Sequence, residues 1–277
     1  MTVLYDLLDT LLPFSWLNYT FMKHALLAML LMTPLFGLLG TMAVDNQMAF
    51  FSDALGHSAL TGIALGVLLG IPDPLVSMLA FGVVAALCIT RIKHGNGAST
   101  DTVISVFSST SIALGLVVLS RGGGFAKYAN YLVGDVLSVT PGDLGMLLAA
   151  LCGTLLVWTW LYNPLLMASV NPPLAASRGI PARRASYLFV VLVAVVVMLS
   201  IRWVGVMLIN SLLILPAAAA RNVARNAAGY ARLSVLFAVV SGVAGLIASY
   251  YWNTSAGAAV VLVAAGIYFA TLPMRRK

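Results

Sequence analysis

The sequence predicts an all-α, polytopic membrane fold with eight or nine spanning helices. Three observations carry that expectation. The 277 residues are 61% hydrophobic and only 8% charged, a balance that leaves too little polar surface for a water-soluble domain. The apolar residues fall in runs of about 20, the length a helix needs to cross a bilayer. The basic residues collect in the gaps between those runs, as topology signals do.

Taken in order, residues 1–16 come first. Val3, Leu4, Leu7, Leu8, Leu11 and Leu12 recur at helical spacing with Asp6, Asp9 and Thr10 between them, which predicts a short helix lying in the membrane interface. Acidic residues stand where a cleavable signal peptide would have basic ones, and no small-residue cleavage site follows. Nine candidate spans succeed it, at 19–43, 48–70, 74–92, 102–120, 142–162, 186–201, 204–220, 231–251 and 255–273. Only Arg202 and Trp203 separate the sixth from the seventh, so that pair reads either as a tight hairpin or as one irregular element. With the amino terminus outside and nine spans, Arg91, Lys93, Arg178, Arg183, Arg184, Arg221, Arg225, Arg232, Arg275, Arg276 and Lys277 lie inside. Lys23, Arg121, Lys127 and Arg202 lie outside. Eleven against four places the carboxyl terminus in the cytoplasm.

Two connections have character of their own. Residues 121–141 are too polar to span and amphipathic enough to lie along a surface. In the segment 171–181, Pro172 and Pro173 open and Gly179-Ile180-Pro181 close one or two helical turns on the inner side. No soluble domain or obvious repeat interrupts the chain, which reads as one transmembrane domain over 1–277.

Composition also excludes functions. The net charge of +7 is dispersed among apolar runs and does not form a nucleic-acid patch. The Gly-x-x-x-x-Gly-Lys-Ser/Thr loop is absent, so the chain has no P-loop of its own for ATP hydrolysis. Cys88 and Cys152 lie in apolar runs without Cys-x-x-Cys spacing and read as small buried hydrophobes. The twelve methionines lack a clustered pattern and read as packing. His24 and His94, at span edges, read as solvated.

Against this background Asp53 and His57 stand out. They lie four residues apart inside the second span, within Ser52-Asp53-Ala54-Leu55-Gly56-His57-Ser58. An ionisable pair in hydrocarbon costs several kcal/mol and marks a functional site unless it serves only as an intramembrane hydrogen bond. At i and i+4 both side chains leave one face of a helix, and carboxylate with imidazole suits zinc, manganese or iron. Ser58, Gly62, Gly66 and Gly70 form a small-residue stripe about 100° around the same helix, a surface for close helix packing. Two donors undersupply a metal that takes four or more, and a second copy related by a two-fold axis is the most economical source of the rest. Ser58, Thr61, Ser108 in the hydroxyl-rich fourth span, and Asn210 in the seventh are candidates to line a pathway or support the ligands; such groups also bond simply to helix carbonyls. Ser99, Thr100 and Asp101 resemble a helix amino-terminal cap.

The signature Ser52–Leu60 with Gly62 and Gly66 resembles that of the zinc/manganese/iron (ABC-3) class of ABC importer permeases. Further blocks match in order: Asp101-Thr102 with Leu114–Val118, then Tyr131–Leu144, then Val204–Arg221. The resemblance covers nearly the whole chain. It implies an ABC importer transmembrane domain in a bacterial plasma membrane, assembled as a homodimer with two cytoplasmic ATPase subunits and an extracytoplasmic metal-binding protein. It also implies that Asp53 and His57 ligate the transported metal. Leu174, Ala175, Arg178, Gly179 and Ile180 would then belong to a coupling helix seated on the ATPase. Two segments depart from the family pattern: Asp45-Asn46-Gln47, where an arginine pair is usual, and Asn171-Pro172-Pro173, where acidic residues usually open the coupling segment. Other readings of the same residues are a secondary transporter using Asp53 and His57 as a proton relay, and an intramembrane hydrolase. The hydrolase lacks His-Glu-x-x-His, Gly-x-Ser-x-Gly and a general base.

Overall fold

The structure, a computed structural model, describes residues 15–95, 99–121 and 134–275. It is helical, with no strand among those residues. Ten helices follow one another: α1 (Thr20–Asp45), α2 (Phe51–Leu68), α3 (Pro74–Gly95), α4 (Thr100–Arg121), α5 (Pro141–Val170), α6 (Pro172–Ser177), α7 (Ala182–Val204), α8 (Val206–Val223), α9 (Ala227–Trp252) and α10 (Ala256–Thr271). All but α6 are long and apolar enough to cross a bilayer, giving nine candidate spans among the described residues. They coincide with the nine expected runs. The expected interfacial helix at 1–16 lies almost wholly outside the described residues, as does most of the 121–141 connection.

Two boundaries differ from the expected runs. The fifth span continues past residue 162, through Pro164, to Val170. The sixth and seventh spans part at Gly205, not at Arg202-Trp203. Gly205 has φ 75° and ψ 159°, a conformation that carries a steric penalty for any residue with a Cβ. Arg202 and Trp203 are polar or bulky but conformationally ordinary, so α7 runs through them and stops where the side chain ends.

The termini follow local chemistry. Ser99 Oγ accepts from the Thr102 amide (3.2 Å) and caps α4, as expected. At α5, Thr140 and Asp143 form a reciprocal cap: the Asp143 carboxylate accepts from the Thr140 amide (2.9 Å) while Thr140 Oγ1 accepts from the Asp143 amide (3.4 Å). The α1 end is a Schellman turn, with Met48 N–H donating to the Ala43 carbonyl (2.8 Å) and Gln47 at φ 55°. The unusual Asp45-Asn46-Gln47 segment therefore builds this turn, and Lys93 Nζ donates to the Asn46 carbonyl (3.1 Å).

The chain divides into two compact units. The first comprises Met1–Thr41, Asp135–Gly153 and Ser211–Lys277. Its helices meet through glycines: a Cβ on Gly37 would lie 2.9 Å from the Val235 Cα, and one on Gly245 would overlap the Val260 backbone. Ser234 donates to the Gly37 carbonyl at 2.6 Å. His24, expected to be solvated, is half-buried with its ring against the Val139 carbonyl at 3.1 Å.

The second unit comprises Met42–Gly134 and Thr154–Asn210, and α2 is its centre, packed against α3, α4 and α7. Gly62 lies flush on α3, where a Cβ would stand 2.8 Å from the Met78 Cα and 3.0 Å from the Ser77 carbonyl; one on Gly66 would meet the Ser77 side chain. Gly70 departs from the expected packing stripe. It touches nothing within 4 Å in the chain and adopts φ 68°, closing α2 in a Schellman turn with Ile71 N–H on the Gly66 carbonyl (2.9 Å). His94, also expected to be solvated, stays exposed yet stacks on Tyr187, with its ring nitrogen 2.7 Å from the Thr90 carbonyl. The cysteines are a further correction. Both are exposed on the helix surface and not buried, because the chain leaves those faces of α3 and α5 uncovered, where a small apolar thiol sits comfortably against lipid.

The two kinds of glycine predict different costs. Gly62→Val overpacks a backbone contact, costing about 1–3 kcal/mol, whereas Gly70→Ala carries only the strain of a left-handed turn, about 1–2 kcal/mol. Thermal unfolding of the detergent-solubilised protein should therefore fall further for Gly62→Val. Equal shifts would show that position 62 is not a packing contact.

Candidate functional site

Thirteen of the eighteen residues of α2 are buried, and the five left over decide where chemistry can occur. They are Asp53, His57, Leu65, Val67 and Leu68. At 100° per residue all five fall within an arc of roughly 160°. Leu60, Thr61 and Ala64 fall in the same arc but are buried, packed on α4, so two separate stretches stay uncovered: the turn of Asp53 and His57, and the end of the helix at Leu65, Val67 and Leu68.

In the first of these stretches His57 Nε2 stands 3.5 Å from Asp53 Oδ2, with side-chain exposures of 36% and 38%. The separation is that of an ion pair when His57 is protonated and is long for a hydrogen bond. Two ligands held at about 2.1 Å in tetrahedral geometry stand ~3.4 Å apart, which the observed spacing nearly matches. Among the described residues no group of three or more His, Cys, Asp or Glu is gathered to hold a metal. Within one chain the described residues therefore bring together two donors and no more.

The neighbouring candidates divide between this face and its supports. Thr61 continues the stripe but is buried, and its hydroxyl donates to the Ser111 carbonyl of α4. Gly115 of α4 makes that approach possible, since a Cβ there would lie 3.0 Å from the Thr61 amide nitrogen. Ser58 is buried and bonds the Leu55 carbonyl of its own helix at 2.7 Å. Ser108 is half-buried on α4. Asn210 on α8 accepts a 2.7 Å hydrogen bond from Ser52. That pairing, across 158 residues of sequence, was beyond any local pattern, although both residues stand out as polar groups in apolar runs.

The short segment 171–181 forms the expected helical turns. Asn171 Oδ1 accepts from the Leu174 amide (3.1 Å) at the start of α6. Gly179 at φ 68° closes a Schellman turn, with Ile180 N–H on the Ala175 carbonyl (3.0 Å). The departure to Asn171-Pro172-Pro173 thus substitutes one good cap for another. Ala175 is fully buried and Ile180 half-buried, while Leu174, Arg178 and Gly179 are exposed.

Nine helices long and apolar enough to span a bilayer among the described residues, with an ionisable pair inside the second, mark a multi-pass membrane protein. The chain belongs to the ABC 3 transport family, whose sequence model matches residues 18–275. It is 30% identical over 254 residues to the high-affinity zinc uptake system membrane protein ZnuB of Haemophilus influenzae, covering 91% of this chain and 97% of that one. It is also 30% identical over 263 residues to the manganese import system permease protein ScaB of Streptococcus parasanguinis, covering 94% of each. Its fold matches a chain of PsaBC from Streptococcus pneumoniae, solved in complex with Fab, with a TM-score of 0.80 and 28% identity over 98% of this chain and 95% of that one.

Proposed function

We propose that this protein is the membrane-spanning permease subunit of an ATP-binding-cassette importer for a divalent transition metal. The observation that carries this reading is the Asp53/His57 pair, side by side and partly exposed on a helix whose other residues are mostly buried. The substrate is zinc or manganese, the metals named in the relatives' own descriptions, and mixed oxygen and nitrogen donors serve both. The pair is completed by the same pair of a second copy. Two carboxylates and two imidazoles then meet about a two-fold axis and supply the four donors a zinc-sized cation requires. The metal is cargo, so ligation by half-exposed groups on two separable surfaces suits capture followed by release.

In this reading the protein performs no hydrolysis itself. Two cytoplasmic ATPase subunits bind around α6, where exposed Leu174 and Arg178 form the contact and buried Ala175 anchors the turn to the chain. An extracytoplasmic binding protein delivers the metal. The amino terminus is outside and the carboxyl terminus cytoplasmic, in line with eleven basic residues on the inner side against four on the outer. The membrane is the plasma membrane of a bacterium.

Two variants and one substitution test this. Asp53→Ala and His57→Ala should each abolish zinc and manganese uptake in vesicles containing the full complex, with normal membrane abundance and ATPase association. Normal uptake by both removes the ligand assignment. Leu174→Asp should leave metal binding by the permease intact while separating ATP hydrolysis from uptake; unchanged uptake would show that α6 is not the ATPase contact. Uptake that follows an imposed proton gradient and ignores ATP would favour the relay reading.

A further inference from the structure

The residues immediately before the two proposed ligands are both engaged by the same element. Ser52, which precedes Asp53, donates to Asn210 Oδ1 at 2.7 Å. Gly56, which precedes His57, lies so close to Val206 that a Cβ would overlap its side chain. Both supports lie about 100° around α2 from the ligands they precede. They are four residues apart on α2 and four apart on α8, running in opposite directions, so they form two points of contact one turn apart. One contact would still let α2 rotate or slide. Two, at the pitch of the ligands themselves, fix both motions.

The clamp is itself held in place. It begins at Gly205, whose positive φ starts α8 abruptly. Gly134 backs that residue closely enough that a Cβ there would overlap the Gly205 amide nitrogen. Asn210 is half-buried at the end of the apolar run Val206-Met207-Leu208-Ile209, and withdrawing its amide oxygen from water costs less when a hydrogen bond replaces it. Ser52 supplies that bond.

We propose that Asn210, acting through Ser52, is a positioning residue that sets the separation and aim of Asp53 and His57 and so biases the site between metals. The proposal rests on the metal-permease reading and deepens it. A loosened clamp lets the pair drift from the ~3.4 Å bite of a tetrahedral ion. Zinc, with short bonds and four-coordination, loses more than manganese, whose oxygen-tolerant coordination accepts wider geometry.

The test measures equilibrium binding of zinc chloride and of manganese chloride to the purified full-length permease, alongside its amount in the membrane. Ser52→Ala and Asn210→Leu should each weaken zinc binding by roughly three- to tenfold and weaken manganese binding less. Because they cut one interaction, the double variant should be no worse than either single one. Ser52→Thr, which keeps the donor, should retain the wild-type zinc-to-manganese ratio if it accumulates normally; Asn210→Asp, which keeps the acceptor, serves in its place if it does not. An unchanged ratio in Ser52→Ala and Asn210→Leu, or a loss that merely follows reduced protein, overturns the proposal. His57→Ala separates the two claims: if it binds zinc normally the ligand assignment fails, whereas if it binds none and the clamp variants match wild type, only the positioning role fails.

Discussion

How closely α2 can approach its neighbours governs this structure. Lipid tails are as apolar as leucine, so helices gain nothing from simply hiding apolar surface from one another. Association relies on close van der Waals contact and interhelical hydrogen bonds. Glycines provide that contact at each side of α2: Gly62 and Gly66 toward α3, Gly56 toward α8, and Gly115 of α4 from the opposite direction. Enclosed this tightly, the helix leaves little surface uncovered, and the turn of Asp53 and His57 is part of it. The same packing therefore fixes where Asp53 and His57 stand and makes their direction definite.

That definiteness is compatible with a weak site. A closed cage of four protein ligands would hold a transition metal for long periods, whereas cargo has to leave. On the proposed reading, two donors per chain, each more than a third exposed, would leave the coordination incomplete until a second surface arrives. All eight acidic residues are aspartates, and the shorter side chain keeps the carboxylate close to the helix, with fewer rotamers to immobilise than a glutamate would have.

Much of this was legible in the sequence because it follows from local rules. Apolar run length located nine spans, the Asn171-to-Pro181 punctuation located α6, and the four-residue spacing put Asp53 and His57 on one face. Features set by distant partners were not legible. Nothing near Gly70 reveals that its neighbours in space are absent, so it resembled Gly62 and Gly66 in sequence while serving as a turn residue. His24 looked solvated until Val139, 115 residues away, came to its ring. At the end of α7 the polar and bulky Arg202 and Trp203 are the salient residues in sequence, yet the property that stops the helix is the missing side chain of Gly205.

One geometric consequence links the two ends of the proposed machine. The chain leaves α6 through the Gly179 turn and enters α7, a single helix of 23 residues about 35 Å long. That helix carries no proline and ends at Gly205, where α8 and the Ser52–Asn210 contact begin. An ATPase pulling on Leu174 and Arg178 would therefore act on one rigid rod whose far end abuts the clamp on the ligand-bearing turn. A rod transmits displacement without needing a chain of rearranging side chains between the sites, and the element able to respond is the glycine at its tip. If Asp53 and His57 ligate the cargo and α6 seats an ATPase, α6 and Asn210 would lie at opposite ends of one lever, and pressing Val206 and Asn210 against Gly56 and Ser52 would shift the pair.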